Sequence, residues 1–96
     1  MTKPKHVLAF VYRGDGELVV HADARGLDAL ADAIARIQTK LRRGECEHEH
    51  LLTDAWSGSD LTEKIGPEPG ALIHHVRLCG WTDAKVAKLG LSDERA

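Results

Sequence analysis

Aromatic side chains are scarce in this 96-residue chain. Two Trp, one Tyr and one Phe make up 4% of it. A core must therefore be aliphatic, built from Leu, Ile, Val and Ala. No apolar run approaches the ~20 residues that a membrane-spanning helix needs. The stretch Val7 to Val11 is too short for a signal peptide's apolar region and lacks a cleavage-like end. A basic excess is also missing. The net charge is −2, against the pattern of a general nucleic-acid binder. Two cysteines, Cys46 and Cys79, are too few for a disulfide scaffold and read as free thiols of a reducing, cytoplasmic compartment. Glycine-rich phosphate cradles and nucleophile elbows do not occur. What remains, with 43% hydrophobic and 29% charged residues, is an ordinary globular balance. The length fits one domain over 1–96, with its core between 7 and 81 and a helical tail at 82–90.

The run Val7-Leu8-Ala9-Phe10-Val11-Tyr12-Arg13 has strand composition. Gly14-Asp15-Gly16 tolerates the positive φ of a tight turn, and Glu17 to Ala22 reads as the return strand. Leu18, Val20 and Ala22 then share one face. Asp23 is a good N-cap for a helix running to Arg43, with Gly44 beyond it. Leu27, Leu30, Ala31, Ile34, Ile37 and Leu41 recur at helical spacing, so the stripe is expected to be buried. A third strand is expected within 45–56 and a fourth from Ala71 to Cys79. A short helix from Ala84 to Leu89, capped by Thr82 or Asp83, would close the chain. These elements predict an α+β fold: a four-stranded, mostly antiparallel β-β-α-β-β sheet with one long helix on one face.

Charge is uneven along the chain. Residues 1–44 carry +3, 45–69 carry −6 and 70–96 carry +1. The acidic third is rich in loops, including Ser57-Gly58-Ser59-Asp60, and is the part suited to a basic partner. Glu47, Glu49, Asp54 and Asp60, with Trp56 as an apolar anchor, are the candidate partner-binding residues. The competing reading is that acidic loops keep a small protein soluble and that both tryptophans cap the core.

Cys46-Glu47-His48-Glu49-His50 offers the other chemistry. On a strand Cys46, His48 and His50 point to one side, and His74 could complete a metal site or serve a small hydrolase. The spacing is far less specific than paired CxxC motifs. A polar strand face carrying His and Glu explains it more simply, so no metal, cofactor or catalytic residue is expected.

Several segments together are familiar. His21-Ala22-Asp23-Ala24-Arg25-Gly26-Leu27-Asp28-Ala29-Leu30-Ala31 is followed by Glu47-His48-Glu49-His50-Leu51-Leu52-Thr53 and then Trp56-Ser57-Gly58. Leu61-Thr62 and His74-His75-Val76-Arg77-Leu78, ending at Gly80-Trp81, complete the pattern. It resembles the immunity proteins of bacterial polymorphic toxin systems, in particular the thirty-second numbered family, over roughly Val7 to Trp81. The resemblance implies a non-enzymatic protein that binds a cognate toxin, presumed basic, and blocks it. It carries over no catalytic or toxin-contacting residue. A homodimer paired through a strand edge is the alternative assembly.

Overall fold

The computed structural model describes residues 6–63 and 70–91. The stretch Gly66-Pro67-Glu68-Pro69, which its glycine and prolines mark in the sequence as loop, lies outside them. In chain order the elements are β1 (Leu8–Gly14), β2 (Glu17–Ala22), α1 (Ala24–Arg42), β3 (Glu47–Leu52), a 3-10 turn (Asp54–Trp56), β4 (Ala71–Ile73), β5 (His75–Gly80) and α2 (Asp83–Lys88). The hairpin, the long helix and the short final helix stand where the sequence puts them. The turn residue Asp15 adopts positive φ beside Gly14 and Gly16, and Thr82 caps α2.

Asp23 joins the first sheet to α1. Its Oδ1 accepts from Gly26 N at 2.7 Å as the N-cap and from Val7 N at 2.9 Å. Its own N–H donates to Val7 O at 3.1 Å. These two backbone donors hold the Asp23 carboxyl below its ordinary value. Gly26 is required here: a Cβ would lie 1.8 Å from Val7 O, so only glycine lets the helix leave this close to β1.

The single four-stranded sheet expected from the sequence is replaced by two antiparallel sheets. One has the order β2-β1-β4, the other pairs β3 with β5. The reason lies at His74. The expected fourth strand, Ala71 to Cys79, changes partners midway. Its first half pairs with β1 (Phe10 opposite Ile73), its second with β3 (Leu51 opposite Val76). Where β4 leaves β1, Leu61 and Thr62 take its place. Thr62 N donates to Leu8 O at 2.8 Å, and Leu8 N donates to Thr62 Oγ1 at 3.1 Å. Thr53, fully buried, holds the change of partner. Its N–H donates to His74 O at 3.0 Å, and its Oγ1 lies 2.7 Å from His74 Nδ1.

The third strand is shorter than expected. It ends at Leu52, because Leu52 O accepts from Asp60 N and Leu61 N while Thr53 O accepts from Trp56 N and Gly58 N. These bonds wrap the chain into a turn instead of extending the ladder. Gly58 sits so close to Leu52 that a Cβ would lie 2.4 Å from the Leu52 Cβ.

The core is aliphatic apart from Phe10. Leu8, Phe10, Ala33, Leu51 and Leu61 form its centre, with Leu30, Ile73, Val76 and Leu78 packed around them. The helix stripe needs correction. Gly26, Ala33 and Ile37 are its buried residues, Leu30 and Leu41 are half-buried, and Leu27 and Ile34 are 55% and 44% exposed. The helix is rotated toward β3, where Arg36 Nε and Nη2 both donate to Glu49 Oε1, at 3.1 and 3.0 Å. That rotation turns the Leu27–Ile34 flank away from the core. On the same side of the sheet Leu18 and Val20 lie opposite Tyr12 and Phe10, yet are 53% and 41% exposed.

Thr53 gives the fold its first test. Thr53→Val keeps the shape but leaves His74 Nδ1 without its partner, which costs about 1–3 kcal/mol. Thr53→Ser keeps the hydroxyl and loses only a methyl, about 1 kcal/mol. Urea unfolding should rank the valine variant below the serine variant. A valine variant as stable as the original would show the contact to be incidental.

Candidate functional site

The outward face of the β3–β5 sheet gathers most of the chain's unusual side chains. His48 stands opposite Cys79, His50 opposite Arg77 and Leu52 opposite His75. Strand alternation puts all six on the face away from α1 and leaves Glu47, Glu49, Val76 and Leu78 on the helix side. His50 Nδ1 lies 2.7 Å from His75 Nε2, so one ring donates and the other accepts. His48 meets His50 edge-on, with ring centroids 4.9 Å apart. The 3-10 turn then sets Trp56 over the change of partner. Its indole stacks on His74 at 5.8 Å and 7° and approaches His75 at 6.3 Å. Trp56 is nevertheless 55% exposed. The result is a continuous row of rings: His74, Trp56, His75, His50 and His48.

Crowding governs the electrostatics of this row. The His50 ring loses some hydration among its neighbours, and the charges of His48, His75 and Arg77 add to that. Together they hold its pKa below the ordinary 6.5. His50 is therefore held toward its neutral form, with Arg77 beside it.

At the far end of the sheet is a small open cleft of about 170 Å³ lined by Cys46, His48, Cys79, Trp81 and Lys85, among others. Cys46 and Cys79 are both free and exposed, and Trp81 is 46% exposed. Neither tryptophan is therefore a core cap.

The acidic candidates are dispersed. Glu47 and Glu49 lie on the helix side of β3, Glu49 tied to Arg36. Asp60 Oδ2 accepts from Leu52 N at 3.2 Å and pins the turn. Asp54 is exposed at the start of the 3-10 turn, two residues from Trp56. Glu63 adds to this end by accepting from Ala55 N at 2.7 Å.

The residues considered for a metal are only partly brought together. His48 and His50 adjoin and Cys46 shares the cleft with His48, but His74 is turned to Thr53 and Trp56. Among the described residues no group of three or more His, Cys, Asp or Glu is placed to hold an ion. Sequence reasoning did not bring His75 together with His50, and it passed over Arg77. The signal available was period-two alternation through β5, which sets His75, Arg77 and Cys79 on one face once β5 is known to pair with β3.

This geometry defines a small α+β protein whose distinctive feature is an exposed surface of rings rather than an enclosed reaction site. The sequence profile of a family described as Immunity protein 32 matches residues 17–76, more than half of the chain. The chain belongs to that immunity protein family. Neither a protein of curated function nor a solved structure matches it. Among the described residues no helix is long and apolar enough to cross a membrane.

The row of rings predicts a titration. His50 should take up its proton below pH 6.5, so the folded state is spared this penalty above 6.5 and loses relative stability as the pH falls from there toward the folded pKa. His75→Ala should move the His50 midpoint upward. Ring-proton NMR titration checks both, and a His50 midpoint that ignores the loss of His75 would contradict the coupling.

Proposed function

We propose that this protein neutralises a cognate toxin by docking on it, without catalysis, and that the docking surface is centred on Trp56. The observation that carries the reading is the exposed Trp56 indole, held flat against His74 and continuous with the His75–His50–His48 row. A large rigid ring already fixed in place loses little freedom on binding. Tryptophans of this kind dominate binding energy at interfaces.

Membership of an immunity protein family supports a protein partner. Acidic side chains beside Trp56 support a basic one. Asp54 is free to meet Arg or Lys, whereas Glu47 and Glu49, on the helix side of β3, act on a partner at this face only at longer range. Rim charges of this kind speed encounter and disfavour wrong partners more than they add affinity. Glu49 and Asp60 have a second duty within the fold, since they hold α1 to β3 and the turn to Leu52. The cytoplasm, where a toxin of the same or a neighbouring cell would act, is the compartment that suits this role.

The test uses the toxin domain encoded beside this chain's gene. Trp56→Ala should weaken binding by about 2 kcal/mol or more, roughly thirtyfold, with the circular dichroism spectrum unchanged. Glu47→Gln with Asp54→Asn should slow association and flatten its dependence on salt. Unchanged affinity in the Trp56 variant would remove the proposed centre of the interface.

A further inference from the structure

Arg77 stands exposed on the ring surface, and among the described residues no carboxylate pairs with it. Glu47, Glu49 and Asp60 are engaged elsewhere. Glu47 Oε1 accepts from His48 N, Glu49 receives Arg36 on the helix side, and Asp60 Oδ2 accepts from Leu52 N. Opposite Arg77 across the sheet is His50, and His75 lies two residues away on the same strand and face. Arg77, His50 and His75 are thus a cluster of nitrogen groups with no anion among them.

The bond between the two rings sets how many protons this cluster holds. His50 Nδ1 and His75 Nε2 lie 2.7 Å apart, so a single proton stands between them. In the neutral pair the outer nitrogens, His50 Nε2 and His75 Nδ1, are one N–H and one lone pair. One further proton, taken from solvent, fills that lone pair and leaves the shared bond intact. The pair then carries one positive charge and an outer N–H donor on each ring. A second added proton would set N–H against N–H and force the rings apart. Loss of hydration and the neighbours His48, His75 and Arg77 oppose protonation of His50, while Glu49 favours it from the other side of β3. The helix α1 packs on the opposite face, and the nearest ring of the 3-10 turn, Trp56, is uncharged. A negative charge brought to this face would tip the balance.

We propose that the cluster receives a carboxylate side chain, Asp or Glu, of the docked toxin, and that one proton enters the His50–His75 pair as the complex forms. This rests on the reading that a toxin docks beside Trp56, and it names what the partner presents there. Arg77 offers the planar fork of donors that matches a carboxylate. An unpaired guanidinium is complementary to an acid and repels a second cation. The requirement is local. Asp54 at the turn meets Arg or Lys, so a toxin surface that fits both carries a cation and an acid, and a uniformly basic surface fits only Asp54. A carboxylate against the pair favours its protonated form. Its midpoint therefore rises on docking, a proton is taken up, and affinity increases as the pH falls from about 7.5 toward about 6.5.

The test is isothermal titration calorimetry with the toxin domain encoded beside this chain's gene, in two buffers of different ionisation enthalpy. The heats should differ between the buffers in the sense of proton uptake. Affinity should rise as the pH is lowered, by at most about tenfold per pH unit, the limit for one proton. Arg77→Gln should weaken binding about thirtyfold, and Arg77→Lys, which keeps the charge without the fork, should recover part of the loss. The double variant His50→Gln, His75→Gln should lose both the buffer dependence and the pH dependence. Each variant lies on the exposed face and should keep its circular dichroism spectrum. Trp56→Ala separates this inference from the reading beneath it. If that variant binds weakly while Arg77→Gln and the double variant bind as the original does, the toxin docks at Trp56 without a carboxylate here, and the proposal is overturned. Binding that ignores all of these changes overturns both. Equal heats in the two buffers, or proton uptake that persists in the double variant, also overturn the proposal.

Discussion

The contact between the buried Thr53 and the half-buried His74 is the constraint on which this structure depends. Thr53 is fully buried and meets His74 twice, backbone to backbone and hydroxyl to ring. Those bonds fix the point where one extended run leaves β1 and joins β3. The departure opens the place beside Leu8 that Leu61 and Thr62 fill, which completes the aliphatic core. It also holds the His74 ring in the orientation on which Trp56 stacks. Core, sheet division and exposed indole all follow from one polar pair.

A polar contact at such a place carries a cost and a benefit. Burying the Thr53 hydroxyl without a partner would destabilise a small core by about 1–3 kcal/mol, and the half-buried His74 ring supplies that partner. Because only one arrangement does so, the break in the strand is fixed in register. An aliphatic pair would permit the run from Ala71 to Gly80 to stay with β1 or slide along β3. Leu51, Val76 and Leu78 add burial, but burial has no direction.

Much of this was legible in the sequence, and the failures have physical causes. The hairpin was readable from Gly14-Asp15-Gly16 and the helix from Asp23 and the spacing of its apolar residues, because both are set by interactions within a few residues. The division into two sheets was not, because Ala71 to Cys79 has uniform strand composition, and its change of partner depends on Thr53 twenty-one residues away. The helix face was misjudged by about one quarter-turn. Periodicity marked Leu27 and Ile34 as core, but Arg36 bonded to Glu49 and glycine at Gly26 seat the helix nearer β3. The histidine row was half visible. His48 and His50 shared a face by alternation, whereas His75 joined them only through the register of β5. The acidic residues looked like one surface in sequence and are spread over a strand face, a turn and a helix contact in space.

The proposed docking site for a toxin is the ring surface beside this pair. It is tested most directly by two-dimensional NMR of the isotopically labelled chain, titrated with the toxin domain encoded beside its gene. On docking, the Trp56 indole N–H and the ring signals of His50 and His75 should shift or broaden first, together with the amides of the Asp54–Trp56 turn. Perturbations confined to β2 and the Leu27–Ile34 side of α1, with the Trp56 indole signal unmoved, would contradict it.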